Sequence, residues 1–175
     1  RVPRVPAMLL ELLSHQNFAD MRYGLDPRFR FTVSRAVYKG MLQFLCSQYN
    51  MDYVVQPLPI EHFTLQFAGD NEVELTWQPV EDPLEPTAKA EKYIVYTRIG
   101  DGDFDNGTLV EGTSYRTNIS SGTIHSYKVV AVNKGGLSFP SEILSVGQPF
   151  QAKGTVLVVN GFERISATAD FVAPA

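Results

Sequence analysis

The stretch from Ile119 to Ser141, I-S-S-G-T-I-H-S-Y-K-V-V-A-V-N-K-G-G-L-S-F-P-S, decides the fold. It opens on a tight Ser121-Gly122 turn. Tyr127, Val129 and Ala131 then alternate with Lys128, Val130 and Val132, the period of two expected of a strand packed on one face. Asn133 and Gly135-Gly136 close it in a turn, and Pro140-Ser141 leads into one more short strand. An alternating strand between two such turns reads as the central strand of a β-sandwich.

Working outward, the same pattern recurs at Phe63–Phe67, Glu72–Trp77, Lys92–Arg98, Thr108–Val110, Ser114–Asn118 and Ile143–Val146. Turn residues separate these runs: Gly69-Asp70-Asn71, Asp82-Pro83, Gly100-Asp101-Gly102 and Asn106-Gly107. Short strands at this spacing predict two packed antiparallel sheets over residues 62–147.

The N-terminal block, residues 1–53, has a different texture. Ala7 to Leu13 is an apolar run with one charge, Glu11; its length suits a buried strand, with a helix as the alternative. Ser14 to Gly24 is polar and irregular. Asp26-Pro27 starts a helix, with Pro tolerated in the first turn. Apolar residues at Val33, Ala36, Val37, Gly40, Met41, Phe44 and Leu45 continue it at helical spacing, with an end near Asn50. Residues 54–61 hold Gln56-Pro57-Leu58-Pro59, a proline-stiffened linker. Residues 148–175 read as a second linker and the first strand of a following domain, carried by Thr155-Val156-Leu157-Val158-Val159. The chain starts at Arg1 and stops soon after that run, which reads as a piece of a longer protein.

Composition excludes several classes. The chain of 175 residues is 44% hydrophobic and 19% charged, enough for an ordinary core. Net charge is −4, with no lysine or arginine block, so a nucleic-acid partner is not expected. No apolar run reaches the ~18 residues of a membrane span. The single cysteine, Cys46, forms no internal disulfide and reads as a buried thiol. Asp101-Gly-Asp103-Phe-Asp105-Asn-Gly107 has the alternating oxygens of a calcium loop but lacks its closing glutamate, so a solvated hairpin is the expectation. Asn118-Ile-Ser120 matches a glycosylation sequon.

Residues 62–147 resemble a fibronectin type III domain, through Trp77 in V-E-L-T-W, Tyr93-x-Val95-Tyr96, Ser121-Gly-Thr to Ala131-Val-Asn133, and Gly136-x-Ser138 with Pro140-Ser141. The resemblance implies a mainly β, immunoglobulin-like sandwich with an N-terminal strand–helix segment and an extra C-terminal strand. Trp77 would fill its centre, with Tyr93 and Val95 on that face and Val129 and Ala131 opposite. His125 stands where the family carries a tyrosine that locks a corner by bonding to the backbone. A histidine there implies donation through one ring nitrogen and a corner sensitive to pH near ~6.5.

Leu9-Leu10-Glu11, Asn17, Asp20, Asp26-Pro27-x-Phe29 and the Phe31–Leu45 helix follow the order found at the C-terminal end of zinc-dependent N-acetylmuramoyl-L-alanine amidases, which residues 1–53 resemble. By that resemblance Glu11 takes the place of the catalytic acid/base at a zinc-bound water. The ligands of the zinc, two histidines and a glutamate, would lie outside this chain. His15, His62 and His125 form no H-x-x-E or H-E-x-x-H arrangement, so no metal or cofactor is expected within it. The two blocks in tandem look similar to exported bacterial proteins of the xanthan lyase-like or golvesin-domain type.

Three functions follow as expectations. The first is a noncatalytic spacer or interaction module of a secreted, periplasmic or surface-exposed protein that degrades cell wall or polysaccharide. The second is part of a zinc amidase using Glu11, and the third a carbohydrate-binding module. Expected partners are neighbouring domains of the same chain, a cell-wall glycan or polysaccharide, and a second copy docking through the apolar face of helix 29–49.

Overall fold

The computed structural model describes residues 4–159. Two helices come first, α1 (Phe18–Leu25) and α2 (Pro27–Tyr49). The strands follow: β1 (Glu61–Gly69), β2 (Glu72–Gln78), β3 (Lys92–Ile99), β4 (Thr108–Val110), β5 (Ser114–Asn118), β6 (Ile124–Asn133), β7 (Gly136–Leu137) and β8 (Leu144–Gly147). A single 3-10 turn, Pro86–Ala88, interrupts the loop between β2 and β3.

One sheet has the order β1-β2-β5, and the other runs β4-β3-β6, with β7 and β8 both paired to β6. Every pairing is antiparallel. β6 is therefore the hub of its sheet, as its alternation predicts. Tyr127, Val129 and Ala131 are buried on its inner face. This is the fibronectin type III sandwich expected over residues 62–147.

The core joins Phe63, Val73, Leu75 and Trp77 of one sheet to Tyr93, Val95, Tyr127, Val129 and Ala131 of the other. Trp77 meets Tyr93 edge-on, with ring centroids 5.3 Å apart and planes at 63°. That geometry places the positive ring edge against a negative face. One detail corrects the sequence reading. Tyr93 and Val95 lie beside Ala131 and Val129 in one sheet, in direct register, and all four face Trp77.

The motif around Pro140 has its own logic. Proline carries no N–H and cannot continue a ladder beside β6. Two serines take over. Ser138 and Ser141 accept from the N–H groups of Ala131 and Val129 through their hydroxyls, at 2.9 and 3.0 Å. Their own N–H groups donate to the carbonyls of the same two residues, each at 2.9 Å.

Three expectations about the flanks are corrected. Residues 54–61 are not a free linker: Val55 and Ile60 are buried. Proline stiffening does not expose a segment whose apolar side chains and backbone both find partners. Ala7–Leu13 makes no strand, with Leu9 83% exposed. Thr155–Val159 likewise forms no ladder among the described residues, and Val156, Leu157 and Val158 are each 85% exposed. An apolar run becomes a strand only when a second strand satisfies its backbone. The later part of the region expected to begin a new domain lies outside the described residues.

The chain divides into two units, with the sandwich in Leu45–Leu157 and the other holding the first 44 residues. Within the N-terminal unit, Ser14–Gly24 is more ordered than its polarity suggests. Asn17 caps α1 by accepting from the Ala19 N–H at 3.0 Å, and Asp20 accepts from the Ser14 N–H at 3.1 Å. Asp26 accepts from the Arg28 N–H at 2.8 Å and starts α2 where Asp-Pro predicts. The helix ends at Tyr49, and Asn50 takes the left-handed conformation, φ 52°, that terminates helices.

Candidate functional site

A connected polar network of the sandwich unit lies at the end where the chain enters. Asn133, the last residue of β6, is buried and aims its side chain at the entering segment. Its Nδ2 donates to the carbonyls of Val55, Thr87 and Lys89 at 2.8, 3.1 and 3.3 Å. Two amide hydrogens serve three acceptors, so one hydrogen is shared. Its Oδ1 accepts from the Gly135 N–H at 2.8 Å, which shapes the turn after β6.

The second half of the clamp comes from the β2–β3 loop. The Val55 N–H donates to Thr87 Oγ1 at 3.1 Å. That hydroxyl donates in turn to Glu85 Oε1 at 2.7 Å, and the Tyr53 hydroxyl donates to Glu85 Oε2 at 2.9 Å. The 3-10 turn places Glu85 and Thr87 on one side of the loop, and the carboxylate is only 9% exposed. Such a carboxylate is tolerable because both of its oxygens accept hydrogen bonds. Gly135 completes the fit: a Cβ there would overlap the Val54 carbonyl oxygen, so only glycine lets the turn lie on that backbone.

Upstream, the last turn of α2 is joined to the same segment. Met51 N–H donates to the Cys46 carbonyl at 2.9 Å, and the Cys46 thiol lies 3.5 Å from the Asp52 carbonyl. Cys46 is buried, as its apolar neighbours predict.

At the opposite end, where the chain leaves, His125 is 4% exposed. Its Nε2 accepts from the backbone N–H of Ser120 at 3.1 Å and stands 3.0 Å from the Ser120 hydroxyl. The corner is therefore locked, but in the reverse sense to the expectation: the ring accepts from the backbone. Burial lowers the pKa of this imidazole below its ordinary 6.5. Tyr127, two residues on, does not contribute to the lock; its hydroxyl is buried without a hydrogen-bond partner.

The remaining candidate residues do not assemble. Glu11 sits in an exposed extended segment, and His15 and His62 are exposed. Among the described residues no three His, Cys, Asp or Glu side chains are grouped to hold a metal ion. Asp105 of the candidate calcium loop is occupied by structure: its Oδ1 accepts from the N–H groups of Thr97 and Gly107, each at 2.9 Å. No described helix is long and apolar enough to cross a membrane.

One feature of the outer sheet face carried no signal in the sequence. Lys128 Nζ lies 4.2 Å from the Phe104 ring centre and 5.3 Å from that of Tyr96, and the Arg98 guanidinium lies 5.2 Å from Phe104. Arg98 also donates to Ser126 Oγ at 3.4 Å. These cations rest on aromatic faces, an arrangement that orders long side chains over a strand pair.

No protein-family model matches the chain, and no curated protein matches it. Solved structures do. The twitchin kinase region from C. elegans is similar at 22% identity and TM-score 0.47, over 54% of this chain and 17% of that one. Titin kinase with its flanking domains gives 24% identity and TM-score 0.47, over 54% of this chain and 18% of that one. A human fourth FNIII domain gives 21% identity and TM-score 0.47, over 58% of this chain and 85% of that one. The present chain thus spans under a fifth of the twitchin and titin kinase structures. The sandwich assignment stands on strand order and register.

Proposed function

We propose that the chain is a noncatalytic spacer or interaction module that holds the segment entering its sandwich in one fixed path. The observation that carries this reading is the clamp of Asn133, Thr87 and Glu85 on residues 53–55. A tethering module needs little beyond a stable core and joints that do not swing. The side chains of Asn133, Thr87 and Glu85 are spent on such a joint.

The wider setting rests on the resemblance of residues 1–53 to the end of an amidase domain. In this reading the parent is an exported, multidomain protein acting on cell wall or polysaccharide, and the sandwich separates its working domains. The parent's amidase domain would bring its own zinc ligands, with Glu11 contributing the acid/base group. Met41, Phe44 and Leu45 of α2 are 57, 45 and 46% exposed, and a neighbouring domain or second copy would cover them.

The test is direct. The purified chain, supplied with zinc and incubated with muropeptides, is expected to release no peptide from the sugar. Amide hydrolysis above the no-protein control would overturn the noncatalytic reading. Hydrogen exchange should find the amide of Val55 protected to the level of β6. Free exchange at Val55, with β6 protected, would reject the fixed joint.

A further inference from the structure

We propose that the His125–Ser120 corner is a proton-operated latch on the segment through which the chain leaves the sandwich, Gln148–Phe150. The geometry requires a neutral ring. A backbone N–H can only donate, so Nε2 must carry no proton while it accepts from Ser120 at 3.1 Å. A proton on Nε2 sets two donors against each other. The Ser120 hydroxyl, 3.0 Å away, can then turn and accept from the ring, but the backbone bond is lost.

What hangs on that backbone is the exit. Ser120 lies between two residues tied to Asn71: the Ile119 N–H donates to the Asn71 carbonyl at 2.8 Å, and the Ser121 hydroxyl donates to Asn71 Oδ1 at 2.8 Å. Asn71 N–H reaches Gln148 Oε1 at 3.2 Å. The Gly122 N–H donates to the Gln148 carbonyl at 2.7 Å, and the Phe150 ring lies where a Cβ on Gly122 would stand. Displacing Ser120 therefore loosens the turn that holds Gln148 from two sides.

Among the described residues no charged group contributes to the shift of this ring. His125 pairs with Ile99 of β3 and Val146 of β8. The core beneath it is built from Ile60, Phe63, Val73, Leu75, Trp77, Val95 and their apolar neighbours, and its titratable members are the phenols of Tyr93, Tyr115 and Tyr127. Burial raises the pKa of Tyr93 and Tyr127, which keeps both neutral wherever His125 titrates. Burial alone holds the His125 pKa down. The unfolded chain takes up this proton from about pH 6.5 downward, before the folded one does. Stability is thus full above 6.5 and is lost as pH falls through the depressed folded value.

The test is a pH titration of the whole chain by NMR with amide exchange, from pH 7.5 to 5. At pH 7.5 the His125 nitrogen shifts should report the tautomer with hydrogen on Nδ1. As the ring protonates, exchange at Ser120 and Gly122, corrected for intrinsic rate, should rise roughly five- to tenfold while β2 and β3 stay protected. The double variant His15→Gln, His62→Gln should respond identically, since both rings are exposed. His125→Tyr should hold the corner without a pH response. A proton on Nε2 at pH 7.5 overturns the latch. So does protonation of His125 with unchanged exchange at Ser120 and Gly122.

Discussion

Asn133 and Val55 are 78 positions apart in the chain, yet Asn133 Nδ2 lies 2.8 Å from the Val55 carbonyl oxygen. That bond converts an apparent linker into part of a folded unit. Asn133→Ala removes the donor and leaves the carbonyls of Val55, Thr87 and Lys89 in need of partners. The expected loss is about 1–3 kcal/mol, read from the shift in urea midpoint at constant m-value. Amide exchange should increase first at residues 53–56. Equal increases in those residues and in β2 would show that Asn133 supports the whole sandwich and not this joint.

Gly135 tests the same joint from its backbone side. Its φ is not in the left-handed region, so the case for glycine is one of space. A methyl group there meets the Val54 carbonyl and the backbone carbon of Val55. Neither is the flexible end of a side chain, so the entering segment must move. Gly135→Ala is expected to destabilise by ~1–3 kcal/mol, the usual range for overpacking. Combined with Asn133→Ala, the loss should be less than additive, because both changes release the same segment. Strict additivity in a double-mutant cycle would separate the two.

Trp77 anchors the opposite sheet. It is 3% exposed, and its Nε1 has no hydrogen-bond partner. Removing the indole N–H therefore breaks no bond, while removing the ring empties the centre of the core. Trp77→Ala should cost about 3–5 kcal/mol and Trp77→Phe clearly less. Thermal melts followed by near-ultraviolet dichroism check both. If Trp77→Phe costs as much as Trp77→Ala, the N–H has a partner that these contacts do not include.

These residues also mark where the sequence could be read. β6 was legible because a strand packed on one face writes its burial as alternation, and turn residues bound it; Trp77 and Tyr93 were placed in the core by the fibronectin type III resemblance. α2 was legible from its period and its Asp-Pro start. α1 was not legible, because Ser14–Gly24 reads as polar and irregular. The clamp was not legible: it joins Tyr53 and Val55 to Glu85, Thr87 and Asn133, and no local pattern encodes such a meeting. Ala7–Leu13 and Thr155–Val159 carried the composition of strands, but composition does not supply the second strand. The polarity of the His125 bond was equally hidden, because it depends on Ser120 N–H pointing into the corner.

Tyr127 gives a prediction with opposite sign to the others. It is fully buried, its hydroxyl lacks a partner, and burial pushes its phenol up from 10.0 to about 12, with Tyr115 adding to the rise. An unpaired hydroxyl in the core is a standing cost, so Tyr127→Phe should stabilise the fold by about 1 kcal/mol near neutral pH. At alkaline pH the effect should grow. The unfolded chain releases the phenolic proton near 10, before the folded chain does near 12, so the folded state holds more protons in that window. Stability of the parent chain therefore falls as pH rises from 10 to about 12, and that share of the fall should be absent in Tyr127→Phe. Urea titrations at pH 7.5, 9.5 and 10.5 resolve the two components. A destabilised Tyr127→Phe at pH 7.5 would mean that the hydroxyl is bonded after all.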